Sequence, residues 1–275
     1  VTNTQGDVTL TQLNNLAAIE IANPLGNVDI TNATSMSVNG NGITGNSVSL
    51  NVTGDLTAFA DITSATSFDA TVSGTASFTS VTASGGSLEI DAGSDVSVQN
   101  SLTTQGNLNV ASDGAVKLNQ ISAPLGSVTI SGNGAVELGQ VSTPQGSVTI
   151  TSGSDSTLTG TTSIGTDLII DSAGSVEIEN ATVGNKGTIQ AIGDVEVGTK
   201  LETANDMIID ATGGFYVSTL TDGVAKSSTE IDLRNVDGDV RLINGGIITA
   251  PSVLLREGAA IGIGAPAENS TSVED

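Results

Sequence analysis

The sequence predicts an all-β fold: a single right-handed parallel β-helix, or β-solenoid, of about 13 coils of about 20 residues with three short strands per coil. Three observations lead to this prediction. Apolar residues recur with a period of about 20 residues. Within each period they fall in pairs two residues apart, which is the spacing of a strand with one buried face. Aromatic residues make up only 2% of the chain, so the interior must be narrow and lined with medium-sized aliphatic side chains.

The period is visible as four columns of apolar residues. The columns start at Val8, Leu10, Leu16 and Ala18 and continue once in every repeat. Every position in them up to residue 178 is apolar except Ser156. Stacked units pair each strand with its counterpart one coil further on, so equivalent side chains lie over one another. We therefore predict a continuous structural core, represented by eight residues of the most regular region: Val128, Ile130, Val136, Leu138, Val148, Ile150, Leu168 and Ile170.

Two further features concern the interior of the coils. A weaker third strand in each unit is indicated by apolar residues such as Ile121. In one coil Phe68 and Phe78 are large where Ala70 and Ala76 are small. The total side-chain volume of that layer is therefore conserved, as close packing requires, and we interpret both phenylalanines as core residues.

Tight corners separate the strands. Glycine recurs before the first strand of each unit, as at Gly126 and Gly146, and we expect it to supply the positive φ angles of the bends. In the segments that begin at Asn23, Ala123 and Thr143, proline and glycine occupy the second and fourth places of a type I turn. The chirality of parallel crossovers favours a right-handed coil.

The domain organisation follows from where the period changes. Residues 1–183 form the regular repeat solenoid. Residues 184–264 continue it as irregular coils, with an insertion near residues 221–229. Residues 265–275 carry no apolar pattern and are predicted to be a disordered acidic tail.

The insertion is the candidate contact loop. Loops carry function more often than uniform strand faces do, and Asp222 and Lys226 are the charged residues of this stretch. The alternative is a neutral surface bulge.

The charge of the chain excludes several partners. Its 30 acidic and 7 basic residues give a net charge of −23, which phosphate would repel, so we expect no nucleic-acid partner and no anionic membrane surface. No apolar run approaches the roughly 18 residues that a membrane span requires. The acidic residues keep a β-rich rod soluble, with calcium binding as the alternative. The absence of cysteine suits many secreted surface proteins.

Catalytic machinery is not apparent, and we predict that the chain is not an enzyme. Histidine and cysteine are absent, and the serines lie in repetitive contexts without a base. The least unfavourable catalytic patch combines three acids with two arginines along adjacent strands, as an enzyme acting on an acidic sugar chain would need: Asp232, Asp237, Asp239, Arg234 and Arg241. The alternative is an ordinary exposed ion-pair ladder.

No cofactor is predicted, and the question of a calcium site stays open. The calcium-binding nonapeptide pattern GGxGxDxUx does not occur. The corners that begin at Ser112 and Val236 nevertheless contain aspartate and glycine, which supply carboxylate and carbonyl oxygens suited to calcium. The metal ligands are therefore left undetermined.

The repeat QGNLNVASDGAVKLNQISAPLGSVTISGNGAVELGQVSTPQGSVTI resembles the filamentous-haemagglutinin-like β-helical repeats of large secreted bacterial adhesins and surface proteins. The resemblance covers roughly residues 4–183. It implies a right-handed β-helical shaft and an extracellular or cell-surface location.

Taken together, these patterns predict a non-catalytic extracellular structural protein, the stiff shaft of a cell-surface adhesin or filament. Its uncapped ends would stack on another copy of the chain or on adjoining repeats of a longer chain. The alternative function is a β-helical protein that binds or degrades carbohydrate. Cell-surface glycans or proteins are the further partners that this prediction admits.

Overall fold

The computed structural model confirms the predicted parallel β-solenoid. It describes residues 6–13, 16–218, 223–243 and 246–263. The described part of the chain contains no helix whose length and apolarity would let it cross a membrane. In chain order the strands are β1 Val8–Leu13, β2 Leu16–Asn23, β3 Val28–Asn32, β4 Met36–Gly45, β5 Val48–Val52, β6 Leu56–Ala58, β7 Ile62–Ser64, β8 Phe68–Val72, β9 Ala76–Ala83, β10 Leu88–Ala92, β11 Val96–Thr104, β12 Leu108–Ser112, β13 Val116–Ser122, β14 Val128–Gly132, β15 Val136–Thr143, β16 Val148–Ser152, β17 Ser156–Ile164, β18 Leu168–Ser172, β19 Val176–Val183, β20 Gly187–Ala191, β21 Val195–Thr203, β22 Met207–Ala211, β23 Phe215–Ser218, β24 Val224–Ser227, β25 Glu230–Val236, β26 Val240–Ile243, β27 Ile247–Thr249, β28 Ser252–Leu255 and β29 Ile261–Ile263.

The first sheet takes one strand from each coil. It has 13 parallel strands in the order β1-β3-β5-β8-β10-β12-β14-β16-β18-β20-β22-β25-β28. Its register in the regular region is one coil per step, because Val128 pairs with Val148 and Val148 pairs with Leu168. At a strand spacing of about 4.8 Å the stack is roughly 60 Å long. The right-handed winding stays a prediction.

The second sheet contains the other two strand segments of each coil. It has 16 strands, and in most coils the predicted second and third strands run on as one bent strand. In β11 the bend falls at a register shift between Val98 and Ser101. Elsewhere the two segments separate, as in β6 and β7. In the coils that are described throughout, the three predicted strand segments therefore occur, and they are arranged in two sheets.

One core runs the length of the solenoid. All eight predicted core residues are buried, each with at most 1% of its surface exposed: Val128, Ile130, Val136, Leu138, Val148, Ile150, Leu168 and Ile170. The phenylalanines of the fourth coil also lie inside. Phe68 and Phe78 pack edge to face with ring centroids 5.9 Å apart, and the small side chains of Ala70 and Ala76 are buried in the same coil.

Small polar side chains complete the interior at the corners, a feature that the apolar pattern did not predict. The Ser152 hydroxyl donates a hydrogen bond to the carbonyl of Ser154 at 2.8 Å, and the Ser172 hydroxyl donates to the same carbonyl at 2.6 Å. At another corner Asn23 Nδ2 donates to the carbonyl of Gly6 at 3.0 Å. These side chains satisfy backbone carbonyls at the corners, where the strand ladder does not reach them.

The corner glycines act differently from the expectation. The predicted turns are present, because the Gly146 N–H donates to the Thr143 carbonyl at 3.2 Å. Positive φ angles are found among the described glycines at Gly6, Gly40, Gly42 and Gly258, which include only one of the recurring corner positions. At Gly146 the constraint is space instead, since a Cβ there would lie 1.9 Å from the carbonyl oxygen of Gly126 one coil away.

The irregular half keeps both sheets. Strand β24 pairs with β21 and β27, so Lys226 lies on a strand and its assignment to a loop was wrong. Val197 pairs with Val217, as the regular repeat requires, but Lys200 pairs with Val224, which lies further along the chain than one regular repeat. The extra residues therefore lie between β23 and β24. Asp222 and the predicted tail fall outside the described residues.

Core packing can be tested by truncating one inward and one outward side chain of β16. We expect Ile150→Ala to lower the free energy of unfolding by about 2–5 kcal/mol, because Ile150 is fully buried and its neighbours cannot close the cavity. The adjacent, outward-facing Thr149→Ala should change it by less than about 0.5 kcal/mol. Urea unfolding followed by circular dichroism measures both values. Equal effects would contradict the stacked core.

Backbone strain can be tested at two glycines with similar φ angles. Gly42 (φ +80°) is crowded, because a Cβ there would lie 1.8 Å from the Asp61 carbonyl oxygen, whereas Gly258 (φ +81°) has open space. We expect Gly258→Ala to cost about 1–2 kcal/mol for the left-handed conformation alone. Gly42→Ala should cost about 2–5 kcal/mol because steric overlap is added. Urea unfolding followed by circular dichroism measures both costs. A smaller cost at Gly42 than at Gly258 would refute the close approach of the backbone at Gly42.

Candidate binding groove on the second sheet

A concave region of the outer surface lies where the second sheet bends. Successive coils differ there by one residue: the inward residues Val98 and Leu102 are four positions apart, whereas Leu118 and Ile121 are three apart. The register shifts at the bend between β11 and β13 and between β15 and β17, whereas β13 and β15 stay in register. Hollows lie between the outward side chains along this line.

Two of these hollows form one groove. The deeper one has a volume of about 300 Å³ and is lined by Ser97, Val98, Gln99, Lys117, Leu118, Asn119, Glu137, Gly139 and Thr159. The more open one has a volume of about 490 Å³ and is lined by Asn119, Gln120, Gly139, Gln140, Thr159, Gly160 and Thr161. Because they share Asn119, Gly139 and Thr159, we call them together the bend groove.

Side-chain amides shape the bend groove. Asn119 Nδ2 donates a hydrogen bond to the Gln99 carbonyl at 2.9 Å, which holds this side chain along the groove. Gln120 Nε2 donates to Gln140 Oε1 at 3.3 Å, which links two neighbouring coils. Gly139 keeps the floor open, because a Cβ there would lie 2.1 Å from the Asn119 carbonyl oxygen. The amides retain donor and acceptor capacity toward solvent.

The groove carries no net charge of its own. The charged side chains that line it are Lys117 and Glu137, on neighbouring coils, and Lys117 Nζ lies 2.7 Å from Glu137 Oε2. Both are well exposed, so the pair contributes little to stability. Because Lys117 pairs with the Glu137 carboxylate, the groove presents amides, hydroxyls and backbone groups rather than a free carboxylate.

The arginine-aspartate patch predicted from sequence is a set of separate ion pairs. Arg234 pairs with Asp232 at 2.7 Å, Arg241 with Asp239 at 2.9 Å, and Arg256 with Asp237 at 2.8 Å: Asp232, Asp237 and Asp239 each have their own arginine. The hydrogen bond from Arg234 lowers the pKa of the Asp232 carboxyl, partly opposed by desolvation. That carboxylate therefore stays ionised, which makes it unsuited to donate a proton near neutral pH.

Lys226 belongs to a surface ion cluster. Its Nζ donates to Glu202 Oε1 at 2.5 Å, and Lys200 Nζ lies 3.8 Å from the other carboxylate oxygen of Glu202. The hydrogen bond from Lys226 lowers the pKa of Glu202. Lys226 thus pairs with Glu202 of the neighbouring strand β21, and Asp222 lies outside the described residues.

Among the residues that the structure describes, no group of three or more aspartate and glutamate side chains is arranged to hold a metal ion. At the corner that begins at Ser112, Asp113 Oδ1 accepts a hydrogen bond from Asn133 Nδ2 at 3.2 Å. At the corner that begins at Val236, Asp237 and Asp239 pair with arginines.

An acidic cluster lies on the outer face of the first sheet. Asp69 pairs with Glu89 in the strand ladder, and Asp91 is nearby on the same strand as Glu89. Desolvation raises the pKa of Asp69, and the negative charges of Glu89 and Asp91 raise it further. When Asp69 is ionised, its desolvation and the two neighbouring negative charges therefore destabilise the folded state.

The sequence contains a signal for the bend groove that lies outside the four apolar columns. Amide residues recur at Gln99, Asn119, Gln120 and Gln140, at nearly the same place in successive repeats. Their outward direction becomes evident only once the bend is located.

No protein-family model, curated protein or solved structure matches this chain. The class is therefore defined by the fold and the surface alone: the chain is a parallel β-solenoid repeat protein with a groove along one bend.

The acidic cluster gives a pH-dependent prediction. At neutral pH the ionised Asp69 is unfavourable in the fold, so Asp69→Asn should raise the free energy of unfolding by up to about 1 kcal/mol after allowance for solvent screening. Because the folded-state pKa is raised, this gain should shrink as the pH falls through it and vanish below the ordinary value of 3.8. Asp171→Asn, on the same face between Thr151 and Gln190, is the control. Denaturant unfolding at neutral and acidic pH measures the difference, and a gain that persists in acid would contradict it.

Proposed function

We propose that this chain is a non-catalytic structural segment, the stiff shaft of an extracellular cell-surface adhesin or filament. The observation that supports the proposal is the unbroken parallel stack: the first sheet runs through 13 coils over one core. Bending such a rod would stretch backbone hydrogen bonds on one side of every coil. A polar, acidic outer surface keeps the rod soluble.

A structural function is further supported by the ion pairs near the C-terminal end. The aspartates that formed the least unfavourable catalytic patch are each held by an arginine. The resemblance to filamentous-haemagglutinin-like repeats agrees with a shaft, and the extracellular location rests on that resemblance. Carbohydrate binding is a second candidate function, which the amide-lined bend groove favours.

The last described coil favours end-to-end assembly. Val253 and Leu255 are only partly buried, although Ile231 and Leu233, their partners one coil earlier, have at most 1% of their surface exposed. Among the described residues, β28 pairs with β25 alone. A further solenoid coil would bury these aliphatic side chains and pair this edge, and the first coil of a second copy has the matching repeat.

Assembly predicts that the purified chain forms filaments or rod multimers as its concentration rises. Val253→Lys, at the end of the stack, should shift the material to single rods because it places a charge among the aliphatic residues. Ile169→Lys changes an exposed residue in the middle of the rod, 43% exposed, and should leave assembly unchanged. Sedimentation velocity and electron microscopy measure the outcome. Monodisperse short rods of the unmodified chain at high concentration would reject end-to-end assembly.

A further inference from the structure

A strip without charged side chains runs along the bend of the second sheet. We call it the neutral strip and define it as residues 79–82, 99–103, 119–122, 139–142 and 159–163, from five successive coils. It contains no aspartate, glutamate, lysine or arginine, although the chain as a whole has 30 acidic residues. Asp61 lies in the coil before it and Glu179 in the coil after it. The strip is roughly 20 Å long, and it contains the amide-lined floor of the bend groove.

The exposed groups of the neutral strip are amides and hydroxyls. Gln99, Asn119, Gln120 and Gln140 are all exposed at the bend. Beside them a row of hydroxyls crosses the same coils, in which each residue pairs with the next: Thr82, Thr103, Ser122, Ser142 and Ser163. Amides and hydroxyls both donate and accept hydrogen bonds. The strip therefore offers hydrogen-bond donors and acceptors in every coil, at intervals of about 4.8 Å.

An exposed aromatic ring lies at one end of the neutral strip. Phe59 is 67% exposed, and it lines a hollow together with Asp61 and with Thr79, the first residue of the strip. Exposure of phenylalanine is unusual in a chain whose other described phenylalanines, Phe68, Phe78 and Phe215, are buried. The exposed face of the Phe59 ring can stack on the apolar face of a ring in a ligand.

These features identify the class of ligand. A polymer rich in hydroxyl groups matches a surface that donates and accepts hydrogen bonds without using charge. An anionic polymer would be repelled by the net charge of −23. A protein partner would need large apolar anchors. Among the residues that the structure describes, the large apolar side chains that are exposed lie outside the strip: Leu25, Phe59, Leu125, Ile169, Ile192 and Ile247.

We propose that the neutral strip binds a neutral polysaccharide that lies along the rod. The amides of Asn119, Gln120 and Gln140 hydrogen-bond its hydroxyl groups in the bend groove, and Phe59 stacks on a sugar ring at the end of the strip. Each contact is weak because the surface is open, and repetition over several coils supplies the affinity. This inference rests on the second candidate function, carbohydrate binding, and names its ligand class. It does not depend on the shaft function, and either can fail alone.

The test is calorimetric titration of the full chain with cellohexaose, chitohexaose and laminarihexaose as neutral probes. The hexamer of galacturonic acid serves as the anionic comparison. We expect saturable binding of at least one neutral hexamer and much weaker binding of the anionic one. Absence of binding by all three neutral hexamers at millimolar concentration overturns the proposal, and so does equal affinity for the anionic hexamer.

Two substitutions locate the site. Gln120→Ala with Gln140→Ala removes two hydrogen-bonding side chains and should weaken binding about tenfold. Thr129→Ala with Thr149→Ala is the matched control, since these paired residues lie on neighbouring coils of the first sheet. All four side chains point outward, so circular dichroism should show an unchanged fold. Binding that survives the glutamine changes, or that is lost equally in the threonine control, overturns the assignment.

Discussion

Each coil of this solenoid is buried only by the coils on either side of it. Val148 is covered by Val128 and Leu168 because all three occupy the same place in successive repeats. The constraint requires every coil to return in register, and the corners make this possible. Glycines such as Gly146 let one backbone approach the next closely, and Ser152 supplies a hydrogen bond where a carbonyl has left the strand ladder.

The requirement that every coil return in register is relaxed at the bend of the second sheet. Inward residues there are spaced by three positions in some coils and by four in others, and the register of the outward residues shifts where two such coils meet. The extra residues between β23 and β24 follow the same logic: the coil returns to register with Lys226 on a strand of the second sheet. At both places the inward residues beyond the change still pair with their counterparts one coil away, as Leu102 does with Ile121 and Leu201 with Ala225.

Acidic, ion-paired and uncharged side chains occupy different parts of the outer surface. Acidic residues cluster at Asp69, Glu89 and Asp91 on the first sheet, where their mutual repulsion raises the pKa of Asp69. Arginines near the C-terminal end neutralise neighbouring aspartates, and Lys117 neutralises Glu137 at the groove. The neutral strip lies on the second sheet, along its bend. A stiff rod that carries such a strip combines a structural role with a surface for a periodic, uncharged ligand.

The period of the apolar residues alone determined the fold class, the pairing register and the core. In a parallel in-register stack, residues one period apart must be neighbours, so Val128, Val148 and Leu168 could be placed together without coordinates. Outward residues share this register but are not restricted to apolar types, so the apolar pattern does not single them out. The bend groove, the strand position of Lys226 and the spatial reason for Gly146 were decided by tertiary structure, because each depends on how one coil fits against the next at a corner or a change of length.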